Sequence, residues 1–242
     1  MKHGLRTLLL LLIILPLGAA ERLTPLGIKV GSLREFLVPG DSGNVAYWVI
    51  TYRLDNSTGE DRELSLRAWI QTDVKRVDQE EERYADIQHV SLRTLVEGKD
   101  QRRYTTSLGM SEFPIRRGEV RDGILIFPRP DRRADRVSLH LDGLTKVVIA
   151  KESKDRLMKL SADRVVVARP RWVDFDGRSE ERLDPYTAQD FELSEGTTFK
   201  ERMVYREVFV RQGDEFHVHM DAIEGVRNQP ERWILVLTPP GN

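Results

Sequence analysis

Two histidines lie two residues apart near the C-terminus, and their spacing could supply two ligands to one metal ion. In the segment FHVHM, His217 and His219 project from the same face of a strand, because strand side chains alternate with a period of two. A zinc site needs at least a third ligand, and the nearby carboxylates are only neighbours in sequence. The spacing therefore supports a metal-dependent hydrolase as an alternative, and two histidines in solvent are the competing interpretation.

A second candidate metal site lies in the segment WVDFDG. Asp174 and Asp176 share one face of a strand just ahead of Gly177, as acidic residues do in calcium loops. When Gly177 is aligned with the glycine of an EF-hand loop, Trp172 and Leu183 occupy the two outer ligand positions. Neither side chain offers an oxygen ligand. The EF-hand pattern therefore fails, and only a looser cage of oxygen ligands around Asp174 and Asp176 remains open.

Tryptophan side chains could form a binding surface for a sugar or a peptide. Core packing is the expected role of Trp48 and Trp233. Trp69 lies between Arg67 and Gln71 on the polar face of its strand, so the pattern predicts that it is exposed. An exposed tryptophan is typical of a binding surface. We therefore consider Trp69 a candidate ligand-binding residue.

The chain lacks the sequence signatures of the common catalytic classes. It contains no cysteine, no Gly-rich phosphate loop and no nucleophile elbow. The acidic cluster Asp78–Glu82 is typical of a solvated loop or helix start rather than of a catalytic carboxylate pair. We accordingly expect a protein that is not an enzyme and that uses no cofactor.

The clearest secondary-structure signal lies between Asn44 and Asp73. Residues Ala46–Leu54 are apolar on both faces, which indicates a central strand, whereas Leu64–Ile70 alternates as a half-exposed strand does. The polar segment Asp55–Asp61 between them contains Gly59, which adopts positive φ at little cost. This pattern predicts that the two strands form a hairpin.

Similar strand patterns recur along the chain. They cover residues 120–127, 136–144, 146–150, 164–175, 198–210, 215–223 and 232–239. An edge strand is expected over residues 21–38, and residues 85–97 form either a short helix or an irregular strand. The polar residues 177–190 are expected to connect two strands. The pattern as a whole is typical of an all-β protein.

Two further expectations concern the connection at 101–117 and the position of His140. Residues 101–117 are expected to be a long connection that contacts the core through Leu108, Met110 and Phe113. His140 alternates with the apolar residues of its strand and therefore belongs to its polar face. This position favours a solvent-exposed histidine over a ligand.

The N-terminus has the organisation of a secretory signal peptide. Lys2 and Arg6 precede the apolar run Leu8–Leu15, and small residues lead to Ala20. Cleavage there removes two of the 38 basic residues and none of the 39 acidic ones. The resulting weakly negative chain does not favour nucleic acid as a partner. We expect a periplasmic or extracellular protein without a stable membrane span after cleavage; an uncleaved N-terminal anchor is the alternative.

Two stretches carry a resemblance to other proteins: YWVITYRLDNSTGEDREL at 47–64 and GILIFPRPDRRADRVSLHLDGL at 123–144. They resemble a loosely defined group of exported bacterial proteins with an immunoglobulin-like β-sandwich. Members share a Tyr- and Trp-rich strand that leads into an acidic turn, and later a G-x-x-x-F-P strand. The resemblance covers residues 22–150 and implies fold and export. Its motifs are structural and imply no active site.

These observations predict an all-β fold with a signal peptide over residues 1–20 and an immunoglobulin-like antiparallel β-sandwich over 21–150. Residues 151–242 are expected to be a β-rich extension or a second small β domain. The expected function is that of a non-catalytic interaction or structural module in the bacterial cell envelope, whose partner is an envelope protein or a glycan. The alternatives are a carbohydrate- or ligand-binding module with exposed aromatics, and the metal-dependent hydrolase that uses His217 and His219.

Overall fold

Strands make up most of the described chain, which confirms the all-β class. The computed structural model describes residues 25–41, 43–75, 81–128, 131, 133–151, 166–175, 178–185, 198–211, 219–222 and 232–238. Within these ranges the chain forms thirteen strands and two helices. Neither of the two helices has the length and apolar character needed to span a membrane.

The elements follow one another in chain order. The strands of the first half are β1 (Gly27–Gly40), β2 (Gly43–Asp55), β3 (Arg67–Lys75), β4 (Glu81–Ala85), β5 (Thr105–Thr106) and β6 (Val120–Pro128). The later strands are β7 (Arg136–Asp142), β8 (Val148–Lys151), β9 (Val166–Phe175), β10 (Arg178–Pro185), β11 (Thr198–Arg211), β12 (His219–Ala222) and β13 (Trp233–Thr238). The helices are α1 (Val90–Asp100) and α2 (Ser107–Glu112).

The strands form two layers that are largely antiparallel. In the first layer β2 lies between β1 and β6, and the short β5 pairs with β6. In the second layer β7 lies between β3 and β11, with β4 beyond β3. The strands β13, β9 and β10 continue the sheet beyond β11. Because β12 pairs with both β1 and β11, it joins the two layers into one continuous sheet.

The main core lies between the two layers. Trp48 and Ile50 of β2 and Phe127 of β6 cluster there with Leu139 of β7 and Phe209 of β11, and all five are fully buried. Each such side chain contributes about 1.5 to 3 kcal/mol relative to an exposed one. The chain contains no cysteine, so burial of this kind, together with hydrogen bonds, stabilises the fold.

Helix α1 explains why β2 is apolar on both faces. Leu92 and Val96 of the helix cluster with Val49 and Ile124 on the outer face of the first layer. The helix begins after His89, whose Nδ1 accepts a hydrogen bond from the Leu92 amide at 3.2 Å. The helical alternative for this region is therefore confirmed, and the central position predicted for β2 is confirmed as well.

The predicted hairpin between β2 and β3 is wrong. Both edges of β2 are occupied, by β1 and by β6, so the chain after Asp55 has to cross to the second layer, where β3 pairs with β4 and β7. The amide of Asn56 anchors this crossover by donating to the carbonyls of Glu60 and Ile115, each at 2.8 Å. Arg62 and Ile115 then exchange two backbone hydrogen bonds.

Three smaller expectations also fail. The first strand is not an edge strand, because β1 pairs with both β2 and β12. Met110 is fully buried as expected, but Leu108 and Phe113 are 61% and 68% exposed. Residues 107–112 form the short helix α2, and a helix turns only part of its surface towards the core. The strand β10 lies in a segment expected to be a connection, because its polar residues lack an apolar alternation.

Strands of the C-terminal third extend the first core. Residues 205–210 of β11 pair with residues 136–141 of β7, and β12 pairs with β1. Tyr205 and Phe209 belong to the same buried cluster as Trp48. Of the two arrangements considered for residues 151–242, this pairing fits the one in which their strands are added to the sandwich.

Candidate functional site

The structure separates the candidate metal ligands that it describes. His219 lies in β12 opposite Arg34, and Asp174 lies in β9 opposite Ser179. The strands β13 and β11 stand between β9 and β12 in the strand order. His217 and Asp176 lie outside the described residues. Within the described ranges no group of three His, Asp or Glu side chains could hold a metal ion. The hydrolase and calcium hypotheses stay predictions.

Trp69 is buried, and the prediction that it is exposed is wrong. Its side chain is 9% exposed and clusters with Val204 and Val236 on the outer face of the second layer. Its ring stacks on His140 with centroids 5.1 Å apart. The guanidinium of Arg83 lies over the Trp69 ring, 4.4 Å from its centroid. Period two placed Trp69 on the outer face correctly, but neighbouring side chains of the same face, from β4, β7, β11 and β13, surround the ring. The exposed surface that a sugar or peptide would need is absent at this residue.

His140 is also buried, contrary to the expectation that it faces solvent. It is 6% exposed and stands in register between Trp69 of β3 and Arg206 of β11. Burial, with Arg206 and Arg83 nearby, lowers the pKa of His140 to about 3. The imidazole is therefore neutral at physiological pH. It packs as an aromatic ring against Trp69 on the outer face of the second layer.

Asp86 ties three segments together. Its carboxylate accepts the amide of Ile126 in β6 at 2.7 Å and the hydroxyl of Ser107 at the start of α2. Its own amide donates to Ala68 of β3 at 3.1 Å. Burial raises the pKa of Asp86 to about 6, against the opposing effect of these hydrogen bonds. The carboxylate connects β6 to α2, and the backbone amide of the same residue connects this point to β3 in the second layer.

Because the folded-state pKa of Asp86 lies above its ordinary value of 3.8, protonation favours the folded state. The stability that protonated Asp86 contributes is fully present below its pKa in the unfolded chain and is lost as the pH rises through about 6. We expect Asp86→Asn to be more favourable relative to wild type at pH 7 than at pH 4, by about 2 kcal/mol. Urea unfolding of both proteins at the two pH values measures this difference. A difference that does not change with pH would contradict the assignment.

One candidate site is a groove beside the crossover between the layers. It encloses about 690 Å³ and lies between the extended segment 61–67 and the turn after β7, at 142–147. We call it the crossover groove. Arg202 of β11 completes its lining. A volume of this size is within the range of ligand-binding sites.

Charged side chains dominate the crossover groove. Asp142 is almost fully buried, and Arg67 and Arg202 approach its Oδ2 atom at 2.5 and 3.3 Å. Lys146 lies 2.9 Å from Glu60, and this pairing lowers the pKa of the exposed Glu60 carboxylate. The cations of the groove are thus held in place by carboxylates of the protein. Such an arrangement can bind acidic groups.

The walls of the groove are extended but lie outside the sheets. Leu64 and Leu66 are buried while Glu63 and Ser65 are exposed, which is the alternation of a strand. No backbone hydrogen bond within the described residues involves Glu63, Leu64 or Ser65. This segment therefore has the conformation of a strand and backbone groups that another strand could satisfy.

Gly143 allows the two walls of the groove to approach each other closely. Its φ of +87° is left-handed, and a Cβ atom at this position would lie 2.1 Å from the carbonyl oxygen of Ser65. Only glycine allows the turn after β7 to approach the crossover this closely. The shape of the groove thus depends on one backbone contact between distant segments.

Sequence reasoning did not find this groove. Its walls are about 80 residues apart in the chain, and Arg202 comes from a third segment. The one available signal was the buried alternation of Leu64 and Leu66, which the hairpin prediction assigned to a paired strand. Comparisons with protein-family models, curated proteins and solved structures find no match to the chain. The function therefore has to be argued from the groove itself.

Proposed function

We propose that the chain is a non-catalytic interaction module of the bacterial cell envelope that binds an extended, acidic segment of a partner protein in the crossover groove. The observation that carries this proposal is the combination of strand-like, unpaired backbone at 63–65 with the cations of the groove. Binding by addition of a strand uses both features: main-chain hydrogen bonds give affinity, and side-chain contacts give specificity.

The charge pattern argues for an acidic partner. Lys146 is half exposed, and among the residues that the structure describes its ion-pair partner is Glu60, which is itself exposed. Exposed ion pairs of this kind contribute little to stability. A carboxylate of the partner can therefore compete with Glu60 for Lys146 at little cost. Arg67, whose side chain is also half exposed, offers a guanidinium at the other wall.

The remaining parts of the proposal concern fold family and compartment. We infer that the two layers form an immunoglobulin-like sandwich, which the resemblance at 47–64 and 123–144 and the antiparallel strands support. Export is supported by the signal-peptide organisation of residues 1–20. A cysteine-free chain stabilised by burial suits a bacterial envelope.

A peptide library tests the proposal. We expect the purified protein to select extended peptides rich in Asp and Glu, with affinities near 10 µM, and Lys146→Gln to weaken them by about tenfold. Arg103→Gln is the matched control, because this almost fully exposed arginine lies outside the groove and carries the same charge. Fluorescence anisotropy of a labelled peptide measures both variants.

Two outcomes would contradict the proposal. One is that no acidic peptide is selected over a neutral peptide of the same length. The other is that Lys146→Gln and Arg103→Gln weaken binding equally, because the loss would then reflect net charge and not the groove. Unfolding curves of both variants confirm that each is folded before binding is compared.

A further inference from the structure

A second cluster of cations surrounds a single carboxylate on the outer face of the first layer. Lys29 of β1, Arg53 of β2 and Asp122 of β6 stand directly opposite one another in register. Arg53 donates two hydrogen bonds to Asp122, at 2.8 and 3.3 Å. Arg102, just after α1, approaches the same carboxylate at 3.5 Å. Two of these cations therefore share one acidic partner, and Lys29 stands beside them in the neighbouring strand.

These residues line a small pocket beside an irregularity in β1. The register of β1 and β2 shifts between Val30 and Leu33, and the pocket encloses about 260 Å³ there. We call it the bulge pocket. Gly31 lies against Thr51, and a Cβ atom on Gly31 would be 3.0 Å from the hydroxyl of Thr51. Bulges recur next to functional sites, because they change the direction of the side chains around them.

The charge of Lys29 is not balanced by any ion pair among the described residues. Arg53 forms an ion pair with Asp122. Arg102 lies near the C-terminal end of α1, where a cation is favourable. Lys29 forms no ion pair among the described residues and stands directly opposite Arg53. Like charges at opposite positions of neighbouring strands destabilise a sheet. A bound anion would remove this repulsion.

We propose that the bulge pocket binds a phosphate or sulfate group. Lys29, Arg53 and Arg102 supply the charge, since guanidinium groups bind tetrahedral oxyanions through paired N–H donors and lysine adds a point charge. Thr51 also lines the pocket, and its hydroxyl is a further donor. The volume suits such a group and part of the molecule that carries it. This site is separate from the crossover groove, since the two share no lining residue.

Calorimetric titration of the purified protein with inorganic phosphate and with inorganic sulfate tests the proposal. We expect saturable binding of at least one of them at millimolar concentration, with acetate weaker, and a loss of about tenfold in Lys29→Gln. Arg103→Gln, which removes a neighbouring charge outside the pocket, is expected to bind as wild type does. Binding is measured at constant ionic strength, so that general screening does not contribute.

A second readout separates a binding role from a structural one. Without phosphate or sulfate, Lys29→Gln is expected to unfold at the same temperature as wild type or at a higher one, because the repulsion with Arg53 is gone. With saturating phosphate or sulfate, wild type is expected to unfold at a higher temperature than Lys29→Gln. The proposal is overturned if neither anion binds saturably, or if Lys29→Gln binds as tightly as wild type.

Discussion

Replacing Gly143 with alanine is expected to lower the free energy of unfolding by about 3 to 4 kcal/mol. The residue has a φ of +87°, and its new Cβ atom would lie 2.1 Å from the oxygen and 2.5 Å from the carbonyl carbon of Ser65. Both are backbone atoms of the crossover, so they cannot turn aside as the end of a side chain can. Urea unfolding of the variant and of wild type measures the difference.

Gly118→Ala is the matched control for this substitution. Gly118 also has a positive φ, of +73°, but no atom lies within 4 Å of the position its Cβ would take. Only the backbone strain remains, and we expect a loss of about 1 kcal/mol. Equal losses at both positions would mean that the turn after β7 and the crossover do not touch as described.

Acidification is expected to remove about 3 kcal/mol of the stability that depends on a neutral His140, between pH 7 and pH 4. The pKa of His140 is depressed from 6.5 to about 3 in the folded protein. Its contribution is therefore present above about 6.5 and is lost as the pH falls towards 3. Trp69, Arg83 and Arg206 surround the ring, so a proton there would be buried beside two cations.

His140→Phe keeps a ring against Trp69 and removes the titration. The free energy of unfolding of wild type relative to this variant should therefore fall by about 3 kcal/mol when both are measured at pH 7 and at pH 4. Comparison with the variant is needed because Asp86 titrates in the opposite sense over part of the same range. A pH-independent difference would show that His140 is accessible to protons in the folded protein.

The strands themselves were largely predictable. The pattern 120–127 corresponds to β6 (Val120–Pro128), and 198–210 corresponds to β11 (Thr198–Arg211). The two apolar faces of Ala46–Leu54 predicted the central position of β2, because a strand covered on both sides carries apolar residues on both sides. The irregularity of β1, between Val30 and Leu33, was not predicted.

The neighbours of each strand were not predictable in the same way. The turn residues between Asp55 and Asp61 suit a hairpin and a crossover equally well, since Asn56 and Gly59 satisfy either geometry. A crossover forms because β1 and β6 occupy both edges of β2 and leave no edge for a hairpin partner. Pairing over long sequence distances carries no local signal.

The burial of Trp69 and His140 depended on distant residues as well. Period two assigns a side chain to a face but does not say what covers that face. Val204 and Val236, more than 100 residues further along the chain, complete the cluster around Trp69. The crossover groove is hidden for the same reason, because its cations come from three separate segments.

Amide hydrogen exchange of Glu63, Leu64 and Ser65 tests the central claim most directly. In the free protein these amides should exchange much faster than those of β2, because they have no backbone partner within the described residues. Saturation with an acidic peptide should slow their exchange and leave that of Thr94, on α1, unchanged. Amides that are already protected in the free protein, or that stay fast when the peptide is bound, would contradict binding by strand addition in this groove.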